Sequence, residues 1–149
     1  MRTITARIMY IAALALASPA MAEGPVTTTV EDSFDNVAFA VESAIVAKGL
    51  VVDHVSHVGE MLARTKADVG GTKDVFTQAN VYQFCSASTS RKVMEVNPMN
   101  IRFCPYGIFV AEMPDAPGKI VVGYNDYPEG EMQEVEDLLK AIVDEAVGG

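Results

Sequence analysis

One stretch decides how much of this chain is available to fold. Ile8 to Ala17 is an apolar run, preceded by Arg2 and Arg7 and broken by Ser18-Pro19 ahead of Ala20-Met21-Ala22. A positive start, an apolar middle and a small-x-small end make up a Sec-type signal peptide cut after Ala22. The run is about half as long as a bilayer-spanning helix requires, so removal is expected rather than anchoring. The expected organisation is a signal peptide at 1–22 and one domain at 23–149. That leaves 127 of the 149 residues to fold. Two of the eleven basic residues leave with the leader and none of the twenty acidic ones do, which takes the net charge from −9 to −11. No cysteine follows the cleavage site, which argues against a lipid anchor. The expected destination is the periplasm.

A chain of that length builds one core and has no room for a second enzyme-sized domain. Half of the full sequence is hydrophobic, too much for a disordered chain. Its acidity argues against nucleic acid or an anionic membrane surface as partner, since both select basic patches. Past the leader no apolar stretch is long enough to span a membrane. Two cysteines are too few for a disulfide scaffold or a four-thiolate zinc site.

The patterning alternates between strand and helix periods. Val26 to Val30 reads as a strand of Thr and Val. Asp32 and Ser33 are N-cap residues for a helix carrying Val37, Val41, Ala44 and Ile45 on one face and stopped by Gly49. Leu50 to Val58 reads as a second strand, with Val51, Asp53, Val55 and His57 on one side. Glu60 to Asp68 predicts a short helix closed by Gly70-Gly71. A third strand runs to Cys85, after which Ser86 or Ser88 caps a helix ended by Asn97-Pro98. Ile101 to Glu112 reads as a strand, with Lys119 to Tyr124 as its hairpin partner across a Pro- and Gly-rich turn. Val135, Leu138, Leu139, Ile142 and Val143 mark a C-terminal helix whose early acids suit its dipole. Together these predict a single α+β domain with an antiparallel or mixed sheet and helices packed on one face.

Chemistry, if the chain has any, centres on the cysteines. Cys85 ends a strand immediately before a helix whose first turns hold Arg91 and Lys92. Free amides and cations there would favour a thiolate. Cys104 is followed by Pro105, which cannot donate to a sheet and suggests an edge or a bulge. Three readings stay open. The two form a structural disulfide, worth roughly 3 kcal/mol for a loop of about 20 residues; they are buried unpaired thiols; or they bind a soft metal or haem iron, or exchange with sulfur compounds. No Cys-x-x-Cys-His points to attached haem, and no Cys-x-x-Cys to a thioredoxin-like mechanism.

His54 and His57 fall in an expected strand, where residues three apart point to opposite faces. Each is a candidate single ligand to a metal such as copper, or to haem iron opposite a thiolate. The methionines are scattered, the acids from Glu129 to Asp137 read as a solvated helix face, and no P-loop, dinucleotide or Gly-x-Ser-x-Gly motif occurs.

The order of Gly49-Leu50-Val51-Val52, Phe84-Cys85-Ser86, Asn97-Pro98 and Phe103-Cys104-Pro105-Tyr106 resembles the bacterial family called domain of unknown function 302. It resembles in particular an exported subgroup carrying the Phe-Cys-Ser and Phe-Cys-Pro-Tyr segments, over about residues 30 to 127. The resemblance implies a TATA-binding-protein-like curved sheet and a homodimer, and no known activity. The expected function is a small periplasmic binding or accessory protein. Cys85 and Cys104, beside Tyr82, Arg91 and Tyr106, would hold haem, a soft metal such as copper or a sulfur species, with His54 and His57 as further metal candidates. The alternatives are a thiol oxidoreductase or sulfur-transfer enzyme working with a small ligand or redox partner, and a structural dimer module with one disulfide.

Overall fold

The structure, a computed structural model, describes residues 24–148; the expected signal peptide lies outside the described residues. Strand β1 (Val26–Glu31) is built mainly of Val and Thr and leads into Asp32-Ser33. Ser33 Oγ accepts from the Asn36 amide at 3.3 Å, and Asp32 Oδ1 accepts from Asn36 Nδ2 at 2.8 Å. These bonds satisfy a helix start, and α1 (Phe34–Ala47) follows with Phe34, Val37, Val41, Ala44 and Ile45 buried along one stripe. Gly49, at φ 75°, ends the helix in the left-handed region that costs glycine little.

Strand β2 (Val52–Ser56), helix α2 (Val58–Thr65) and strand β3 (Gln78–Phe84) come next. Then come α3 (Ala87–Val96), a 3-10 helix at Pro98–Phe103, the β4 (Tyr106–Glu112) and β5 (Lys119–Tyr124) hairpin, and α4 (Gln133–Val147). The five strands form one sheet in the order β1-β5-β4-β3-β2, and every pairing is antiparallel. The fold is α+β, and of the two sheet types expected it is the antiparallel one.

Register sorts the faces. Phe84↔Tyr106, Tyr82↔Ile108 and Val110↔Val122 share the inner face. There Ile108, Val110, Ile120 and Val122 are fully buried with Val41 and Ile45 of α1 and with Val135, Leu139 and Ile142 of α4. The opposite face carries Val81, Phe109 and Val121, each half-buried. It also carries Gly123, where a Cβ would lie 2.6 Å from the Phe109 ring.

Two local readings are corrected. The second strand is shorter than Leu50 to Val58 and has a bulge between Val52 and His54, where an extra residue shifts the alternation. Val52 and Val55 therefore turn toward the core while Val51 is 71% exposed. His57 leaves the strand and becomes the N-cap residue of α2. The stretch Ile101–Phe103, read as strand, belongs to the 3-10 helix: Pro98 sits in its first turn, and the Asn97 side chain caps it by accepting from the Met99 amide at 3.0 Å.

Candidate thiol site

Strand pairing brings the two cysteines together. Phe84 and Tyr106 are cross-strand partners at one end of the β3–β4 ladder. Cys85 follows the first and Cys104 stands two residues before the second, so both leave the sheet at the same end. Ser86, itself buried, caps α3 by accepting from the Thr89 amide at 3.3 Å, which sends the chain away immediately after Cys85. Cys104 closes the 3-10 helix, its amide donating to the Ile101 carbonyl, and joins Pro105 through a cis peptide. Pro105 precedes β4, a central strand, so the expected edge position is not found; placed before the first strand residue, the proline removes no ladder bond.

Both thiols are free, Cys85 exposed and Cys104 half-buried. Cys104 is near enough to Cys85 to help push the Cys85 thiol's pKa up. Behind Cys104 stand two hydroxyls. Ser90 Oγ lies 3.6 Å from Cys104 Sγ and 2.9 Å from Tyr106 Oη. Tyr106 is 1% exposed and is held edge-on between Phe84 and Tyr127, with ring centroids 6.5 Å away on each side. The site is thus a pair of sulfurs, one facing solvent and one facing a fixed Ser–Tyr hydroxyl pair.

Electrostatics correct one expectation. Cys85 is not biased toward thiolate. Desolvation first, then the neighbouring Cys104 and the charge of Asp53, push its pKa up, opposed by a backbone hydrogen bond from Tyr106. The cations that would have lowered it are engaged elsewhere. Arg91 pairs with Glu95 at 2.6 Å and Lys92 with Glu134 at 3.0 Å, all well exposed. Burial pushes the Tyr106 phenol up to about 12, with Cys104 and Cys85 adding and Ser90 opposing. Tyr127 is likewise raised to about 12, chiefly by burial.

Of the residues named from sequence, Cys85, Cys104 and Tyr106 meet. Arg91 does not join them. Tyr82 is buried, and its phenol's pKa is raised chiefly by that burial, with Asn80 opposing and the charges of Glu42 and Asp35 adding, so it answers to groups other than the cysteines. His57 Nδ1 lies 2.9 Å from Asn80 Oδ1, beside a cavity of about 370 Å³ lined also by Phe34, Asp35 and Glu60. His54 is an exposed β2 residue opposite Gln83. Among the described residues no three His, Cys, Asp or Glu side chains gather to hold a metal ion. Ser90 was missed from sequence. Its signal was helical spacing: four residues after the capping Ser86, it falls on the same side of α3.

Residues 26–147 match the family described as "Domain of unknown function DUF302". The chain belongs to this family. A solved relative within it, titled as the crystal structure of an uncharacterized conserved DUF302 protein from Bacillus stearothermophilus, is 16% identical. It aligns with 85% of this chain and 98% of its own at a TM-score of 0.65. At that identity the likeness carries the DUF302 fold and nothing of function. A comparison with curated proteins found no match.

Proposed function

We propose that this DUF302 protein is an exported dithiol protein whose Cys85–Cys104 pair cycles between two thiols and one disulfide. The observation that carries the proposal is that the Phe84↔Tyr106 pairing brings two free thiols of unequal exposure to one end of the β3–β4 ladder. A two-electron oxidant would take one hydrogen from each sulfur as the bond forms. The periplasm expected from the leader is a compartment where such a bond persists. This reading asks for no third ligand, whereas the haem and copper readings would have two sulfurs and no imidazole beside them.

The test is redox equilibration of the purified mature protein in glutathione buffers, followed by mass spectrometry of the alkylated products. The expected result is a disulfide with a midpoint between about −270 and −120 mV, the range of catalytic pairs. A midpoint below about −300 mV would assign the bond to structure alone. Failure to form any disulfide with diamide overturns the proposal. So does stoichiometric haem or Cu(I) binding that Cys85→Ser abolishes, in favour of a ligand centre.

We infer also a homodimer through the outer sheet face. Val81, Phe109 and Val121 give it an apolar middle, and its register pair Glu31↔Lys119 is balanced, so a second copy meets no net repulsion there despite the acidic chain. Sedimentation should give a dimer that Phe109→Glu dissociates; a wild-type monomer at high micromolar concentration refutes it.

A further inference from the structure

The unequal surroundings of the two sulfurs carry a further inference, which rests on the dithiol reading. We infer that thiols attack the disulfide at Cys85 and that Cys104 is the leaving group, received by the hydroxyls of Ser90 and Tyr106. Only Cys85 is exposed, so an incoming thiolate reaches its sulfur first. Cys104 is half-buried, and the Ser90 hydroxyl is already 3.6 Å from its sulfur. The Tyr106 hydroxyl, 2.9 Å behind, can donate to Ser90 while Ser90 donates to sulfur. That is a pre-placed set of donors aimed where charge develops, the arrangement that lowers a barrier because nothing need reorganise.

A thiolate attacks Cys85 Sγ, the Cys85–Cys104 bond breaks, and a mixed disulfide forms on Cys85 while Cys104 departs as thiolate. A second thiolate attacks the sulfur of the bound thiol and releases the low-molecular-weight disulfide. Cys85 then leaves as thiolate and takes a proton. Two thiols lose two electrons and the protein disulfide gains them. The substrate class is therefore a thiol. Of the two sulfurs, Cys104 is the one with hydroxyl donors placed to stabilise it as it departs. Cys85, the exposed sulfur, holds the mixed disulfide instead.

The experiment uses the oxidised mature protein and 2-mercaptoethanol. Acid quenching, alkylation and peptide mapping locate the mixed disulfide, expected on Cys85 with Cys104 alkylated. Ser90→Ala should slow reduction about tenfold, the size expected for a hydrogen bond to a developing charge. Tyr106→Phe should slow it less, and Ser90→Thr should restore the rate. In reduced Cys85→Ser protein, Ser90→Ala should also move the pH profile of Cys104 alkylation to higher pH, which a packing role would not do. If no disulfide forms at all, the dithiol reading fails. If it forms but the adduct sits on Cys104, or Ser90→Ala leaves rate and pH profile unchanged, that reading stands and this inference is overturned.

Discussion

Gly59→Ala sets two physical effects of opposite sign against each other. Gly59 is the second residue of α2, and alanine in a helix is favoured over glycine by up to about 1 kcal/mol. If propensity decided, the variant would be more stable than the parent. A Cβ at Gly59, however, would lie 2.6 Å from the Ala79 amide nitrogen and 3.1 Å from the Gln78 carbonyl carbon. Both are backbone atoms of β3, held by the pairing of Gln78 and Ala79 with Glu112 and Ala111 of β4, so neither can rotate away as a side-chain end would. Relief requires α2 to move off the strand by several tenths of an ångström, and overpacking of this kind costs about 1–3 kcal/mol or more. The close approach wins, with a net loss of about 1–2 kcal/mol. Urea unfolding followed by far-ultraviolet circular dichroism should show the midpoint falling by roughly 0.5–1 M, with the slope m unchanged. Ser43→Ala, on the exposed side of α1, serves as the propensity control and should be neutral or slightly stabilising. A Gly59→Ala midpoint equal to or above the parent would refute the argument that the α2–β3 contact fixes this position.

Other consequences follow from the same core. Leu139→Ala removes a fully buried side chain between α4 and the sheet and should cost about 2–5 kcal/mol in the same assay. Asn100→Ala should cost about 1–3 kcal/mol: Asn100 is buried, and the bonds its Nδ2 donates to the Val93 carbonyl and to the Glu131 carboxylate are both lost, although the Asn97 amide still reaches the Val93 carbonyl. Alkaline unfolding has a definite sign. Tyr106 and Tyr127 are raised from about 10 to about 12, so the folded state keeps protons that the unfolded chain releases. Their contribution is whole below pH 10 and is lost as pH rises toward 12, so the free energy of unfolding should fall in that window. Tyr106→Phe should flatten the slope.

Much of this fold was legible because helix and strand periods are unambiguous where a stripe of Val, Ile and Leu must be buried. Both α1 and α4 and the β4–β5 hairpin sit where periodicity and turn chemistry put them. The misreadings share one cause: they lie where local pattern yields to pairing. The bulge after Val52 depends on what β3 offers, and nothing in Leu50 to Val58 announces it. Pro98 and Asn97 together hold Ile101–Phe103 in a 3-10 turn despite its strand-like composition. The site was half legible. Cys85, Cys104 and Tyr106 were found because cysteines are scarce and tyrosine flanks one of them. Arg91 and Lys92 looked like thiolate partners because sequence nearness was taken for spatial nearness, while Glu95 and Glu134 claim them. Ser90 carries no compositional signal, and its meaning depends on Tyr106 arriving from β4.

The pairing of Arg91 with Glu95 and of Lys92 with Glu134 has a consequence for which thiols react. These pairs are exposed and neutral in sum, so an approaching thiolate feels the charge of Asp53, which reaches Cys85, and the acidity of the chain as a whole. A field of that origin repels anions, extends roughly a Debye length, and shrinks from about 30 Å at 0.01 M salt to about 8 Å at 0.15 M. Glutathione attacks as a species of higher negative charge than the thiolate of cysteamine, whose ammonium offsets its sulfur. At low salt cysteamine should therefore reduce the oxidised protein faster than glutathione beyond their difference in intrinsic nucleophilicity, by up to about tenfold. Raising salt should speed glutathione and leave cysteamine nearly unchanged, so the ratio converges. The hydroxyls of Ser90 and Tyr106 act at contact distance and are not screened, so the slowing by Ser90→Ala should be the same at both salt concentrations. Parallel salt dependence for the two thiols would show that the local field at Cys85 is not the one its neighbours and the net charge imply.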